Sequence, residues 1–521
     1  MYRTSSPGQL SFENFYLPFG GKLSGENRWV KLAEVIPWET VEAEYAEQFS
    51  ATMGAPAKSF RVALGALIIK EKLGTSDAET VEQIRENPYL QYFLGFSEYR
   101  DEAPFEASMF VHFRKRLSLK LVADVNETVV AEMLSSEAVP PDGAVPVMDD
   151  ESDNDDDEPP SPPHQGQLIV DATCAPADIR YPTDLGLLNE ARENSERLID
   201  VLYEQVRSQF KTKPRTYRKL ARQAFLSVSK KRRASHQLKR KGIRKQLGYL
   251  GRNLGHIDIL IAAGASLTVL SHRQQRLLLV ISEVYRQQQV MYESKTRRVD
   301  DRIVSITQPY VRPIVRGKAG VPVEFGAKLS VSCVQGCVFQ GVLSWDNFNE
   351  STHLQAQVEA FRSRFGHYPE SVHADQIYRT RANRSWCKAL GIRLSGPPLG
   401  RPKKDSAVQA ALKQQAREDE TVRVAIEGKF GQAKRRFSLN RVMPKLADTA
   451  QCAIAITFLV INLERWLRLL LALLLCGYGL GLKALFCLIE RFQTAILLTD
   501  YLARLAHYDK ETEHDLTRGS N

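Results

Sequence analysis

The sequence predicts an α/β protein in which a large helical insertion interrupts the strands and an all-α segment precedes them. Three observations carry this prediction. Short apolar runs at residues 167–171 and 370–375 and an alternating pattern at residues 325–345 indicate strands and a hairpin. Residues 182–300 have helical periodicity, and residues 1–140 have the capping and turn signals of short helices. Strands separated by helices are typical of an α/β sheet.

Composition is that of an ordinary globular protein with a basic balance. The 521 residues correspond to about three domains at ~150 residues each, and 43% hydrophobic residues suffice for a full core. Lys and Arg total 71 against 61 Asp and Glu, so the net charge of +10 favours a polyanionic partner. The seven cysteines form no CxxC pair, which predicts a reducing compartment and excludes a disulfide-stapled protein.

The sequence predicts neither export nor a membrane partner. The opening residues MYRTSSPGQLSFENFYLPFGGK lack the apolar stretch that a signal peptide needs. Residues 469–482 are uncharged, but these 14 residues are fewer than the about 20 that cross a bilayer, so a core helix is the better interpretation. We therefore expect a cytoplasmic protein.

Residues 1–140 are predicted to form a helical N-terminal domain. One helix, which ends at Gly74, has a single apolar face. That face comprises Phe60, Ala63, Leu64, Leu67 and Ile68. Ser76 and Glu79 form a capping-box pattern that starts a second helix, which stops near Pro88. Such short helices fit a helix-turn-helix-like DNA-binding module or an assembly domain, and generic all-α packing predicts the same pattern.

An acidic, proline-rich segment follows this domain. Residues 149–158 contain eight acidic residues and no basic ones, and PPSPP comes soon after. Such a segment buries too little apolar surface to offset its ordering entropy, so residues 141–165 are predicted to be a disordered linker. The α/β domain then covers residues 166–465 with its insertion at about 182–300, and residues 466–521 form a helical tail.

Three carboxylates are singled out by the elements that carry them. Asp171 and Asp375 each end a short apolar strand, and Glu427 lies on a helix predicted over residues 406–441. Strand, insertion, hairpin, helix, strand and helix follow one another in the order of a ribonuclease-H-like fold, which lets such carboxylates meet. Three oxygen ligands suit Mg²⁺, with Mn²⁺ as a substitute, and two such ions support in-line phosphoryl displacement. Any one of these residues alone is better explained as a cap or a surface charge.

The basic charge is concentrated inside the insertion. Residues 211–252 contain 16 lysines and arginines and no acidic residue. Because cations that neutralise phosphates release counterions, we expect this block to bind double-stranded DNA; a solvated basic face is the alternative. The residues expected at the DNA are Lys230, Lys231, Arg232, Arg233, Lys239, Arg240 and Lys241.

Several segments carry a resemblance to a known family. Four segments resemble bacterial DDE transposases of the insertion sequence five family. They are VDATCAPADIRYPTDLGLLNEARE, QPYVRPIVRGKAGVPVEFGAKLSVS, HADQIYRTRANR and RVAIEGKFGQAKRRFSLNRV. The InsH-type N-terminal domain of the same transposases resembles FRVALGALIIKEKLGTSDAETVEQIRENPYLQYFLGF, together with FRKRL. The resemblance covers most of residues 30–465. It implies that Asp171, Asp375 and Glu427 are the catalytic metal ligands of a nucleoid-associated bacterial enzyme.

The helix of Glu427 departs from a related pattern at one position. The insertion sequence four signature is Tyr-x2-Arg-x3-Glu-x6-Lys, and Arg423, Glu427 and Lys434 fall at its spacing, whereas Glu420 replaces the tyrosine. This departure leaves the metal ligands in place but removes any DNA contact that the tyrosine would make. The spacing puts the three matching residues on one helix face, where pairing among surface charges is the alternative to DNA binding. The basic residues expected at DNA here are Arg423, Lys434, Arg435 and Arg436.

Five other residues have a functional and a structural interpretation. Asp184 and Asp346 could act as supporting acids near the site, but turn or cap roles are favoured. His373 shares a strand face with Asp375, and a structural histidine is the better interpretation. Trp345 and Trp386 could stack on unpaired bases, although tryptophan usually packs in the core.

The resemblance implies a DNA transposase that cleaves the ends of an insertion element and joins the freed 3′-hydroxyls to target DNA. Its partners would be the terminal inverted repeats and the target DNA. Because both element ends must be held together, at least a homodimer is expected. The alternatives are a DNA-binding regulator derived from a transposase without catalysis, and a ribonuclease-H-like nuclease that cuts without strand transfer.

Overall fold

The structure is a computed structural model, and it describes residues 1–2, 11–50, 53–137, 164–315, 323–397 and 406–477. Nearly all of the predicted acidic linker and most of the predicted C-terminal tail lie outside these residues. The described part is a mixed α/β structure built from one sheet and many helices.

Seven α-helices precede the sheet in the described residues. They are α1 (Arg28–Val35), α2 (Glu42–Ala46), α3 (Phe60–Leu73), α4 (Asp77–Glu86), α5 (Pro88–Phe93), α6 (Met109–Arg116) and α7 (Leu119–Glu137). The predicted boundary signals are confirmed: Gly74 ends α3 with a left-handed φ of 68°, and the Ser76 hydroxyl accepts a hydrogen bond from the Glu79 amide at 3.1 Å. The predicted single apolar face of α3 is wrong, because every residue from Phe60 to Ile69 except Arg61 is buried.

The strands of the described residues form one six-stranded mixed sheet. Its strands are β1 (Gln167–Pro176), β2 (Arg312–Val315), β3 (Val323–Val334), β4 (Cys337–Ser344), β5 (Ser371–Ala374) and β6 (Arg393–Leu394). The order is β2-β3-β1-β5-β6, with β4 also paired to β3. β1 is antiparallel to β3 and parallel to β5, and β5 is parallel to β6.

Two strand predictions have different outcomes. The hairpin is confirmed, since β3 and β4 pair across a turn in which Gln335 and Gly336 both have positive φ. The predicted end of the first strand at Asp171 is wrong. β1 continues to Pro176 because β3 pairs with it along that whole stretch, so Asp171 lies within the strand.

Four helices lie between β1 and β2. They are α8 (Asp184–Val206), α9 (Arg218–Ser229), α10 (His236–Ala262) and α11 (His272–Glu293). Their apolar faces form a core cluster separate from that of the sheet, with Leu188, Leu202, Leu250 and Ile281 fully buried in it. The helical insertion therefore has a core of its own.

The remaining helices cover the sheet. They are α12 (Leu354–Phe365), α13 (Arg381–Ala389), α14 (Ser406–Arg435) and α15 (Ala447–Gly477). The buried Asn462 of α15 donates to the Asn126 side chain of α7 at 2.8 Å and accepts from the Val338 amide of β4 at 2.9 Å. Thus α15 joins the N-terminal helices and the sheet into one core cluster. Among the helices of the described residues, none has the length and apolarity to cross a bilayer.

Candidate functional site

Asp171 and Asp375 lie side by side on neighbouring strands. β1 and β5 are parallel with Val170 opposite Ala374, so the following residue of each segment is an aspartate. Asp375 caps a short 3₁₀ helix, and its Oδ1 accepts from the Gln376 amide at 2.6 Å. The structure therefore brings two of the three predicted ligands to one place on the sheet.

Asp171 is the more enclosed of the two aspartates. Its side chain is 16% exposed, and Oδ1 accepts from the Ala172 amide at 2.7 Å. Burial raises the pKa of Asp171 to about 6, and the charges of Glu350 and Asp375 act in the same direction. The amide of Ala172 and the charge of Arg423 act against this rise.

Glu427 is connected to Asp171 through Arg423. Glu427 and Arg423 both lie on α14, which packs against β1 and β5. The Nη1 atom of Arg423 lies 2.9 Å from Glu427 Oε1 and 3.6 Å from Asp171 Oδ2. Its Nη2 atom lies 2.6 Å from Glu420 Oε1, and this hydrogen bond is the main reason why the pKa of Arg423 is raised. In this state the guanidinium faces carboxylates, and its predicted DNA contact stays a prediction.

An ion pair between the buried Asp419 and the partly exposed Arg393 holds α14 against β6, the edge strand beside β5. Asp419, 5% exposed, accepts two hydrogen bonds from Arg393 Nη1 of β6 at 2.9 and 3.0 Å and one from the Gly396 amide at 3.3 Å. His373 of β5 is also buried, with Nδ1 3.6 Å from Asp419 and Nε2 3.0 Å from the Ser371 hydroxyl. The favoured structural interpretation of His373 agrees with this burial.

The donor chemistry of the site fits a hard divalent cation, but the present spacing does not. Asp171, Asp375 and Glu427 offer carboxylate oxygens, the ligands that Mg²⁺ and Mn²⁺ prefer. Within the described residues, however, no three His, Cys, Asp or Glu side chains are gathered closely enough to hold a metal ion. Instead, the Nη1 atom of Arg423 lies between the carboxylates of Asp171 and Glu427.

A fourth acidic residue, Glu350, lies near the two aspartates and was missed in the sequence. Its carboxylate pairs with the buried Lys328 Nζ at 2.9 Å. Burial is the main cause of the raised pKa of Tyr378, and the charges of Glu350, Asp171 and Asp375 raise it further, so all three carboxylates act on the same phenol. No local signal marks Glu350, because only its approach to Lys328, 22 residues earlier in the sequence, gives it this position.

The predicted DNA-binding residues of the insertion divide into two groups. Six of them are exposed: Lys230, Lys231, Arg232, Arg233, Lys239 and Lys241. The first four form the α9–α10 turn, which links those two helices. Arg240 instead packs inward, with its guanidinium 4.1 Å from the centre of the Tyr292 ring and a 3.0 Å hydrogen bond to the Tyr292 carbonyl.

The basic residues at the end of α14 also differ from one another. Arg435 is exposed and Lys434 is half-buried. Arg436 forms a 3.0 Å ion pair with Glu464, whose side chain is 8% exposed. The pair of Arg436 with Glu464 therefore links the end of α14 to α15.

The remaining candidates have structural surroundings. Asp184 pairs with Arg302 at 2.6 Å, and Asp346 is an exposed residue 3.6 Å from Arg312. Trp345 lies against the Tyr310 ring at a centroid distance of 4.5 Å, and Trp386 packs against the main core. The two tryptophans have the core packing favoured above, whereas the cap of α8 is Thr183 and Asp184 instead forms a long-range ion pair.

An arginine-lined cavity beside the insertion also escaped the sequence patterns. It has a volume of about 540 Å³ between α8 and α9, and the exposed residues Arg180, Arg197 and Arg222 line it. Arg222 belongs to the basic block of residues 211–252, whereas Arg180 and Arg197 lie outside it, so only the packing of the two helices brings the three together.

Two family models match separate parts of the chain. The model described as "Transposase DDE domain" matches residues 372–464, and the model described as "Transposase domain (DUF772)" matches residues 18–116. The first range contains Asp375 and Glu427, whereas Asp171 precedes it. Both ranges exclude the helical insertion.

One curated protein is a relative of this chain. The uncharacterized protein ORF8 in the nfe locus of Rhizobium meliloti is 30% identical over 162 residues. That match covers 31% of this chain and 68% of the relative. No solved structure matches the chain.

Proposed function

Because this chain belongs to the bacterial DDE transposases of insertion sequences, we propose that it cleaves the ends of an element and joins the 3′-hydroxyls to target DNA. The observation that carries this proposal is the placement of Asp171 and Asp375 on adjacent parallel strands with Glu427 across from them on α14. Asp171, Asp375 and Glu427 would be the catalytic residues. The insertion sequence five subfamily and the InsH-type N-terminal domain are parts of the same proposal.

The proposed catalytic fold is ribonuclease-H-like. The path β4-β3-β1-β5-β6, in which the first three strands are antiparallel and the last three parallel, supports this assignment. We take the domain to cover residues 166–465, after an N-terminal DNA-binding or assembly domain of residues 1–140. This assignment accounts for α14, which packs against β1 and β5 and would present Glu427 to Asp171 and Asp375.

The proposed cofactor is Mg²⁺, with Mn²⁺ as a substitute. When bound, two such ions would activate the attacking oxygen and stabilise the leaving oxygen of the phosphoryl transfer. The protein itself would contribute the oxygen ligands, from two strands of the sheet and one helix. Asp171 must be ionised to take part, and its raised pKa makes this depend on pH.

The proposed partners are the terminal inverted repeats of the element and the target DNA, held by at least a homodimer. Support for DNA binding comes from the exposed cations of the α9–α10 turn and from Lys239, Lys241 and Arg435. The cavity between α8 and α9 adds two more exposed arginines of the insertion, Arg197 and Arg222, and also Arg180 just before it. Phosphates are the groups that such surfaces bind.

The test is a strand-transfer assay with purified protein, DNA that flanks its own gene, target DNA and Mg²⁺. We expect Asp171→Asn, Asp375→Asn and Glu427→Gln each to lower joined product by at least about a hundredfold, because each removes a charged metal ligand. Glu418→Gln, an exposed residue of the same helix, is the matched control and should retain activity.

The outcomes separate this proposal from its alternatives. Strand transfer that persists in the three variants would overturn the assignment of the site. Cleavage without joining in the unchanged protein would indicate a nuclease. Binding to element ends without cleavage would indicate a DNA-binding regulator.

A further inference from the structure

We propose that Arg423 is a positioning residue that occupies the place of the cation until metal binds, and that Glu420 then keeps its guanidinium beside the site. This inference rests on the proposed function, because it takes Asp171 and Glu427 to be ligands of one metal site. The sequence predicts only a DNA contact for Arg423, whereas this inference gives Arg423 a role in metal binding before DNA binds.

The first support is the position of the guanidinium. Arg423 Nη1 contacts both Glu427 Oε1, at 2.9 Å, and Asp171 Oδ2, at 3.6 Å. Mg²⁺ binds its oxygen ligands at about 2.0–2.1 Å, so a cation shared by these two carboxylates would take the space of that nitrogen. Because Arg423 is 15% exposed and held from both sides, it does not leave this space without losing two ion pairs.

The second support is the absence of a gathered ligand set. Across the described ranges of the chain, no three acidic, histidine or cysteine side chains form a group able to hold a metal. The three carboxylates nevertheless lie on elements that pack together. A monovalent guanidinium that bridges two of them explains why they remain apart.

The third support is Glu420, which offers the guanidinium a place to stay. It lies one helical turn before Arg423, with Oε1 2.6 Å from Nη2, and its side chain is 54% exposed. Glu420 can therefore keep this hydrogen bond while Nη1 moves away from Asp171 and Glu427. The exchange replaces one bridging cation by another without leaving the arginine unpaired.

The experiment is titration of Mn²⁺ into the full, DNA-free protein, with free Mn²⁺ measured by electron paramagnetic resonance. Arg423→Lys keeps the charge but lacks the fork that bridges two carboxylates. We expect it to tighten Mn²⁺ binding by about threefold, and Arg423→Gln by at least about fivefold. Arg417→Gln, which removes an exposed positive charge from the same helix, is the control and should change the affinity less than twofold.

A double-mutant cycle of Glu420 and Arg423 tests the inference most directly. We expect Glu420→Gln to weaken Mn²⁺ binding, since Arg423 then holds Asp171 and Glu427 as its only partners. In the Arg423→Gln background the same substitution should have no effect, because Glu420 acts through the arginine. An equal effect in both backgrounds would mean simple attraction between Glu420 and the metal, and would overturn the inference.

Asp171→Asn distinguishes failure of this inference from failure of the proposed site. If Asp171→Asn abolishes Mn²⁺ binding while both Arg423 variants bind like the unchanged protein, the site stands and the role of Arg423 is refuted. If Asp171→Asn leaves Mn²⁺ binding unchanged, the proposed metal site itself is wrong. Loss of binding in Asp171→Asn with tighter binding in both Arg423 variants supports both.

Discussion

Asp171 combines a buried position with a charge that its function requires. Two other carboxylates, Glu350 and Asp375, raise its pKa, and the charge of Arg423, whose Nη1 lies 3.6 Å from Oδ2, opposes them. Desolvation and like charges disfavour the ionised form, which is why its pKa rises to about 6. The ionised side chain is thus destabilising in the absence of metal.

We expect Asp171→Asn to stabilise the metal-free protein at pH 8 by about 2 kcal/mol. The folded-state pKa is raised above the unfolded value, so the aspartate costs the folded state most above pH 6 and least below pH 4. The advantage of the variant should therefore shrink as the pH falls through 6. Urea unfolding in EDTA at pH 8 and pH 4 measures it.

Glu418→Gln serves as the control for this stability measurement. Glu418 is exposed on α14, and its substitution should change the free energy of unfolding by less than about 0.5 kcal/mol at both pH values. An Asp171→Asn variant that is less stable at pH 8 would contradict the environment described for Asp171.

At the scale of elements, α10 carries lysines near its N-terminus, the end of a helix at which positive charge is unfavourable. Lys239 and Lys241 lie in its first two turns, and the α9–α10 turn adds four more positive charges just before it. The positive end of the helix dipole repels this charge. Such an arrangement gains nothing in folding stability, which favours a polyanionic partner at this end of the helix.

Substitution of the four basic residues of the α9–α10 turn by alanine should weaken DNA binding in a salt-dependent way. Each phosphate contact contributes about 0.9 to the slope of log K against log salt concentration, so the slope should fall by about 3 to 4. Fluorescence anisotropy with a DNA duplex between 50 and 300 mM salt, roughly the range in which such slopes are measured, gives this value.

The matched control for the turn is Arg207→Ala combined with Arg286→Ala. Both arginines are exposed on the same insertion but pair with acidic residues three positions earlier, Glu204 and Glu283. An unchanged salt slope in this control and a reduced slope in the turn variant locate the DNA interface. The same slope in both variants and in the unchanged protein would refute the proposed interface.

At the scale of the whole molecule, buried ionic contacts tie the N-terminal helices to the rest of the chain. Glu71 of α3 accepts from the Ser438 amide at 3.0 Å and from the Thr457 hydroxyl of α15 at 2.6 Å. Glu464 of α15 pairs with Lys72 of α3 as well as with Arg436. Breaking such contacts leaves buried groups unpaired, so these helices and the sheet should unfold together.

We expect hydrogen exchange to report one cooperative unit that contains α3 and β3. Glu71→Ala should lower the opening free energy of both by about 2 kcal/mol, because it leaves buried donors without their acceptor. Amides of α10, which belong to the separate core of the insertion, should keep their protection. Native-state exchange in increasing urea, followed by mass spectrometry, measures each element.

The control for this exchange experiment is Glu79→Ala, an exposed residue of α4. It should leave the opening free energies of α3 and β3 within about 0.5 kcal/mol of the unchanged protein. Loss of protection in α3 alone after Glu71→Ala would show that the N-terminal helices unfold independently.

Local signals predicted local structure well. The turn at Gly336, the cap at Ser76 and the left-handed end of α3 at Gly74 each depend on residues within a few positions of one another. The face of α3 and the end of β1 at Asp171 were predicted wrongly. Both depend on partners distant in the sequence, namely the helix α15 packed on α3 and the strand β3 paired to β1.

The sequence by itself determined the α/β class, the family and the chemistry of the candidate ligands, because periodicity, spacing and residue type are properties of short segments. Only the tertiary structure decided that Arg423 lies between Asp171 and Glu427, that Glu350 joins the aspartates, and that Arg240 faces inward. Ion pairs form between side chains a few ångströms apart, and residues 252 positions apart, such as Asp171 and Arg423, acquire that proximity through packing alone.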